Sequence, residues 1–376
     1  MGAEGIIPKD AAKDLFQSML KANESLFLDA VALDFDYLPK LLLHRENQQK
    51  HIASSIAPLL QDRNGKNLLI TGPPGIGKTA AARWVLRELE DKYSNEDIQT
   101  IYINCWKMNT AFKLLVEMCR QVDYKFVQNK RTDELLDVLT TLLNERKATV
   151  FVFDEVDKLE DFSVLYAILE DINRKVILLI TNEKEWIVSL DRRIYSRLTA
   201  ELLEFLKYNY EETIDILKQR ADFAFAKNCW DPGAFKLIAE KTAELGDLRA
   251  GLSLLKEAGE LAETGSSRKI SLAHASIAIK KFDTIRIRKY TDFEESDKSL
   301  LEFIKSSPNK SMSELFDIYN AGLEKNNSKI SYRTFQRWIK RLRDNKMISV
   351  AEQSTDKGKI FVVNLAGFGA EQRSQT

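Results

Sequence analysis

Residues 72–79 read GPPGIGKT, and these eight positions decide how the flanking chain must fold. Behind them lies the apolar run NLLIT (67–71); ahead lies AAARWVLRELEDKY (80–93), apolar at helical spacing. A short buried strand, a glycine-rich turn and a helix in that order fit the pattern G-x-x-x-x-G-K-[ST]. Gly72, Gly75 and Gly77 let the backbone curl so that successive amides point inward at phosphate oxygens, and the helix adds its positive N-terminal end. Pro73, Pro74, Ile76 and Ala80 complete the loop. Lys78 would reach the β and γ phosphates of ATP or ADP, and Thr79 would hold Mg²⁺ through its hydroxyl. A chance Gly-rich turn is the competing reading, and the flanking elements count against it.

Further strands follow at QTIYINC (99–105), ATVFVFDEVD (148–157) and KVILLITN (175–182), separated by helical stretches at 109–122 and 133–145. Strands apolar throughout and alternating with helices predict an α/β fold with a parallel sheet covered on both faces. The helix before the loop is expected to start after His44 and end near Pro58 to Asn64. From about 208 the strands stop, and four helical stretches (212–225, 231–245, 247–263, 271–282) predict a small helical lid. The charged segment DTIRIRKYTDFEESD (283–297) lacks an apolar period and reads as a linker. The boundaries drawn are an N-terminal extension at 1–35, a nucleotide domain at 36–206, the lid at 207–283, a linker at 284–296 and a last unit at 297–376.

The acidic strand supplies the second half of the site. Asp154, at the end of a buried strand, is suited to bind Mg²⁺ directly or through water. Glu155, next along, can polarise an attacking water as a general base. Asn182 ends the neighbouring strand, where an amide can hydrogen-bond the water or the γ-phosphate; an ordinary turn asparagine is the alternative. Arg193 and Arg197 lie in LDRRIYSRL, and Arg249 opens a helix in GDLRAGL. Each alone would read as a surface ion pair. Their order along the chain gives them value.

With 376 residues the chain is long enough for two or three domains, and no run of about 18 apolar residues suggests a membrane span. The expectation is an intracellular protein with no membrane partner, cytoplasmic and nucleoid-associated. Cys105, Cys119 and Cys229 lack the paired spacing of a disulfide framework or zinc site. Formal net charge is zero, with an asymmetry beneath it: from Lys298 onward there are 14 Lys or Arg against 8 Asp or Glu, a surplus of six that leaves the remainder at −6. Such a split hints at nucleic acid, for the C-terminal part alone.

That part contains SYRTFQRWIKRLRDNKMI (331–348). Ser331 suits an N-cap, and Phe335, Ile339 and Leu342 share one helical face. Arg333, Arg337, Lys340, Arg341 and Arg343 mostly occupy the other faces. A helix with an apolar seam and a basic side, set after two helices, suits a DNA major groove. MISVAE, STDKGK and KIFVVNL then read as a β-hairpin whose tip carries Lys357, Gly358 and Lys359, a wing able to contact phosphates. The bland alternative is a basic helix in a protein-binding winged helix.

Taken in order, GPPGIGKT, VFVFDEVD, the TN at Asn182, the SRL at Arg197 and the GDLR at Arg249 resemble the AAA+ ATPase family. LPKLLLHRENQQKHI (38–52), YINC (102–105), TAF (110–112), LDRRIYSRL and GDLRAGL resemble, within it, archaeal replication initiators of the origin-recognition and Cdc-type licensing family. The likeness covers about residues 36–265 and extends to the tail through the winged-helix pattern. It implies an AAA+ sheet domain, a helical lid and a C-terminal winged helix. It also implies that Pro39, His44 and Arg45 line the adenine side, that Arg197 (or Arg193) is a finger acting on a neighbouring protomer, and that Arg249 senses nucleotide from the lid. Residues near Lys107 and Thr110 would begin a helix pair that touches DNA. The implied partners are double-stranded origin DNA, paralogous subunits or a second copy, and the replicative helicase, with slow ATP hydrolysis as a switch. A clamp-loader or transposition-type ATPase, or a regulatory ATPase with a protein-facing winged helix, are the alternatives.

Overall fold

The four apolar runs form one parallel sheet. The computed structural model describes residues 25–93, 97–291, 295–307, 310–323, 330–344, 348–355 and 358–365. In chain order the sheet domain runs α1 (Glu46–Ile56), β1 (Leu68–Thr71), α2 (Lys78–Glu90), β2 (Ile98–Asn104), α3 (Ala111–Gln121), α4 (Thr132–Asn144), β3 (Ala148–Asp154), α5 (Ser163–Asp171), β4 (Lys175–Ile180), α6 (Arg192–Leu198) and β5 (Glu201–Glu204). The strand order is β2-β3-β4-β1-β5, with every pairing parallel.

Alternate residues of each strand enter different cores, as the two-residue period of a strand requires. Leu69, Ile101, Ile103, Phe151, Phe153, Ile177 and Leu179 pack with α3, α4 and α5. Leu68, Ile70, Ile98, Val150, Val152, Val176, Leu178 and Ile180 pack with α1 and α2. Burial on both faces explains why these runs are apolar throughout. Cys105 and Cys119 are buried in the first of these cores.

The lid follows as α7 (Tyr210–Ala224), α8 (Pro232–Leu245), α9 (Leu248–Thr264) and α10 (Leu272–Thr291). Its helix ends obey local chemistry. Asn209 and Glu212 form a capping box on α7, Asp231 caps α8 ahead of Pro232, and Gly246 ends α8 in the left-handed conformation. The sheet domain and most of the lid belong to one unit of the chain, which divides between Lys280 and Lys281.

The second unit contains α11 (Glu295–Ser306), β6 (Lys310–Ser311), α12 (Met312–Leu323), α13 (Tyr332–Asp344), β7 (Ile348–Thr355) and β8 (Gly358–Leu365). Its antiparallel sheet is ordered β6-β8-β7. Helix, short strand, helix, helix and hairpin is the order expected of a winged helix. Phe335, Ile339 and Leu342 are buried with Leu300, Ile304, Leu315 and Val363, and Trp338 packs half-buried against them. The Thr334 amide donates to Ser331 Oγ at 3.1 Å, the anticipated N-cap.

Three features add to the reading of the sequence. The segment read as a linker is helical where it is described: α10 runs to Thr291 and α11 begins at Glu295. A charged helix without a strong apolar stripe shows no period to detect. β5 was not anticipated, because ELLE lies at the sheet edge with three of its four side chains exposed, so its residues mix charge with apolar groups. The described part of the N-terminal extension packs on the lid. The Ala226 amide donates to Leu26 O, the Phe27 ring lies 4.6 Å from Phe225, and a 3-10 turn at Ala30–Leu33 packs on α7 and α9.

Candidate nucleotide site

A cavity of about 330 Å³ opens at the carboxyl ends of β1, β3 and β4, where ligands of open α/β sheets bind. The loop Gly72–Gly77 wraps one side. Gly75 has φ +74°, and a Cβ there would lie 1.8 Å from Asp247 Oδ1. Gly77 has φ +87°, so both positions need glycine on conformational grounds. The loop is thus clamped between its own strand and the lid: the Leu248 amide donates to Gly75 O at 3.1 Å.

Lys78 is 7% exposed, and its Nζ donates to Gly72 O (2.6 Å), Pro73 O (2.7 Å) and Asn182 Oδ1 (2.8 Å). Burial lowers its pKa to about 8, against the opposing pull of Asp154. Thr79 Oγ1 donates to Asp154 Oδ2 at 2.7 Å, and Tyr102 Oη donates to the same oxygen at 2.7 Å. The Glu155 amide donates to the other oxygen at 3.0 Å. Glu155 sits at φ 55°, in the left-handed region, and burial, then the charges of Asp154 and Asp157, raise its carboxyl above the usual range. A more basic carboxylate beside the cavity suits a general base. The anionic carboxylate of Asp154 beside a hydroxyl, next to a buried ammonium, is a donor set that fits Mg²⁺ and phosphate oxygens.

Arg249 lines the cavity from the lid. Asp247 caps α9 through the Arg249 amide and also binds the Arg249 guanidinium at 3.2 and 3.1 Å. The sensor candidate is therefore tethered to its own helix cap.

The other expected residues separate into those at the cavity and those outside it. Pro39, Pro74, Gly75, Ile76, Gly77, Thr79 and Ala80 line it with Lys78, Asp154, Glu155 and Asn182; Gly72 and Pro73 stand behind as acceptors for Lys78. His44 and Arg45 are not among the lining residues. His44 Nε2 lies 3.0 Å from Asp215 of α7. Arg45, 4% exposed, donates to Ile76 O and Leu206 O and lies 3.7 Å from the Tyr208 ring, bracing the loop from beneath. Arg197 is remote from the cavity: it pairs with Glu170 of α5 and lies over the Tyr166 ring. Arg193 pairs with Asp191 at 3.2 Å.

Lys107 and Thr110 lie between β2 and α3, beside the exposed Trp106 and Phe112. In the second unit Arg333, Arg337, Lys340 and Arg343 are exposed and Arg341 is partly buried on α13. Lys359 pairs through its backbone with Ser354, and Lys357 lies outside the described residues.

Sequence reasoning missed Tyr102, Tyr208 and Arg220. Tyr208 lines the cavity and has its phenol pushed up to about 12 by burial. Arg220 of α7, 7% exposed, donates to Ala32 O and to Asp34 O (2.9 Å), shaping the wall that Phe35 and Tyr37 present to the cavity. A single arginine on a lid helix carries no motif, so no local signal marks it.

No helix among the described residues is long and apolar enough to cross a membrane. An AAA domain matches residues 61–186, and a Cdc6 AAA+ ATPase-type lid domain matches 214–280. The chain is 32% identical over 284 residues to the ORC1-type DNA replication protein 1 of Sulfurisphaera tokodaii, covering 73% of this chain and 70% of that protein. It is 32% identical over 288 residues to the ORC1-type DNA replication protein of Pyrococcus horikoshii, covering 72% and 68%. The fold resembles the solved structure of the Aeropyrum pernix ORC1 protein in complex with DNA, with a TM-score of 0.68, 26% identity and coverage of 92% and 95%. An AAA domain with a Cdc6-type lid, on a chain this similar to named relatives, identifies it: the protein belongs to the archaeal ORC1-type (Orc1/Cdc6) DNA replication protein family of AAA+ ATPases.

Proposed function

We propose that this protein is an ATP-dependent initiator of DNA replication that binds double-stranded origin DNA and helps recruit or load the replicative helicase. The observation that carries the reading is the cavity itself. Lys78, Asp154, Glu155 and Asn182 from the sheet domain converge on it with Arg249 from the lid, so the site is complete only when the two domains close on it. A nucleotide there biases the lid, which suits a switch better than a continuous motor.

Lys78 and Arg249 neutralise phosphate charge, with Asn182 orienting Lys78 from the neighbouring strand. Thr79 and Asp154 are the residues that would hold Mg²⁺, whose charge stabilises phosphate oxygens when bound. Glu155 accepts the proton of the attacking water. Arg197 points to a neighbouring protomer, a paralogue or a second copy, as the completing partner, and hydrolysis by an isolated chain is slow for want of it. α13 and the β7–β8 hairpin contribute DNA contacts, with Lys107 and Thr110 adding others from the sheet domain. That the Aeropyrum pernix ORC1 protein was solved in complex with DNA supports DNA binding as such, and the basic, exposed side of α13 supports its place there.

The test is a footprint on origin DNA at physiological salt, with and without ATP, for wild type and Lys78→Ala, alongside ATP hydrolysis. An origin-sized footprint whose extent changes with ATP in wild type alone is expected. Absence of any such footprint in either state would sink the initiator reading.

A further inference from the structure

β2 is an edge strand, and the side of Tyr102 that lacks a neighbouring strand is completed by a side chain instead. The Tyr102 amide donates to Gln121 Oε1 at 2.9 Å, and Gln121 Nε2 donates back to Tyr102 O at 2.9 Å. Gln121 is the last residue of α3. Its amide mimics the paired bonds of a strand and pins the backbone of Tyr102 on the side away from β3. On the other side Tyr102 pairs in register with Val152, two residues before Asp154.

From this clamped position the phenol reaches Asp154 Oδ2 at 2.7 Å, the oxygen that also accepts from Thr79 Oγ1. The carboxylate thus has three donors: two hydroxyls on Oδ2 and the Glu155 amide on Oδ1. Arg83, which lines the cavity, lies 5.6 Å from the centre of the Tyr102 ring and flanks it. A neutral O–H donor fixes the direction of a carboxylate without cancelling its charge, as a lysine or arginine in the same place would. Once the Thr79 hydroxyl turns its oxygen toward a cation, the phenol becomes the remaining side-chain donor among these three that orients Asp154.

We infer that Tyr102 is a positioning residue for the divalent-cation site: its phenol aims the Asp154 carboxylate, and the Gln121 amide of α3 holds the strand from which it reaches. The inference rests on the reading of Thr79 and Asp154 as the Mg²⁺-holding pair. Outer residues that orient a metal's ligands contribute about tenfold or more to metal affinity, which sets the expected size of the effect.

The full chain is titrated with a fluorescent ATP analogue in EDTA and at a series of Mg²⁺ concentrations. Tyr102→Phe, which keeps the ring and deletes one oxygen, should raise the Mg²⁺ midpoint by about tenfold while nucleotide affinity in EDTA stays within about twofold. Asp154→Asn, the benchmark, should lose the Mg²⁺ response. An unchanged midpoint in Tyr102→Phe overturns the inference. So does an equal loss of affinity with and without Mg²⁺, which would assign Tyr102 to packing alone. If wild type shows no Mg²⁺ dependence, the assignment of Thr79 and Asp154 fails first and takes the role of Tyr102 with it.

Discussion

Lys78 has its three ammonium donors spent on two loop carbonyls and Asn182, with burial holding its pKa at about 8. A lysine whose pKa falls on folding destabilises the folded state below pH 8, and the deficit shrinks as pH rises toward the ordinary 10.5. A triphosphate beside it favours the charged form, so binding takes up a proton once the pH exceeds the apo value. Calorimetry in EDTA, in buffers of different ionisation enthalpy, should find uptake of roughly 0.7 proton at pH 8.5 and about 0.1 at pH 7, and Lys78→Ala should abolish it. Equal uptake at both pH values would show that Lys78 is already charged throughout. Asp247 has two duties, because the carboxylate that caps α9 also pairs with the Arg249 guanidinium, a pair that a phosphate would have to compete with. Asp247→Asn keeps a good cap and removes the tether. Both side chains are partly exposed, so the pair is worth at most about 0.5–1 kcal/mol, and ATP affinity should rise by no more than about two- to fivefold while the melting temperature without nucleotide falls by about 2 °C at most.

At the scale of elements, α6 presents Arg197 away from its own cavity, where Glu170 of α5 holds it. An arginine that completes a neighbour's site must leave that partner. Arg197→Ala should keep nucleotide affinity yet abolish the rise of hydrolysis with protein concentration, a loss of about 10³-fold in the assembled state. Glu170→Gln, freeing the guanidinium, should increase that same hydrolysis. Arg193 is bound to Asp191 two residues away, and Arg193→Ala should do much less; the reverse ranking would reassign the finger. The elements also show what was legible. β1, β3 and β4 are buried on both faces and so announce themselves as apolar runs, and GPPGIGKT marks its turn through glycines with positive φ. β5 and the 284–291 part of α10 carry too much charge for periodicity to register. His44 and Arg45 are conspicuous in the sequence, but what they do depends on α7 and on the Ile76 carbonyl, brought to them only by the tertiary fold. Tyr102 and Gln121 are likewise 19 residues apart and meet only because α3 folds back along the edge of β2.

For the molecule as a whole, zero net charge conceals a surplus of six positive charges from Lys298 onward, matched by six negative before it. The basic residues of α13 are not spread at random. Phe335, Ile339 and Leu342 are buried, and Arg333, Arg337 and Lys340 are exposed around the faces that remain. If that surface binds duplex DNA, affinity comes largely from counterions released at phosphates, and log K falls linearly with log salt. Each phosphate contact removed lowers the slope by about 0.9, so Arg337→Ala and Lys340→Ala should each flatten it by about that amount while leaving nucleotide affinity unchanged. A double variant should flatten the slope by up to about twice as much, because the slope counts the phosphates neutralised. Phe335→Ala is the contrasting case: it opens a cavity costing about 3–5 kcal/mol and should abolish DNA binding through loss of the unit's fold, visible as an earlier melting transition. A protein-facing α13 gives the opposite signature, in which the arginine and lysine variants leave the salt slope of DNA binding untouched. The slope therefore separates a DNA-reading tail from a protein-facing lever without knowledge of the sequence bound.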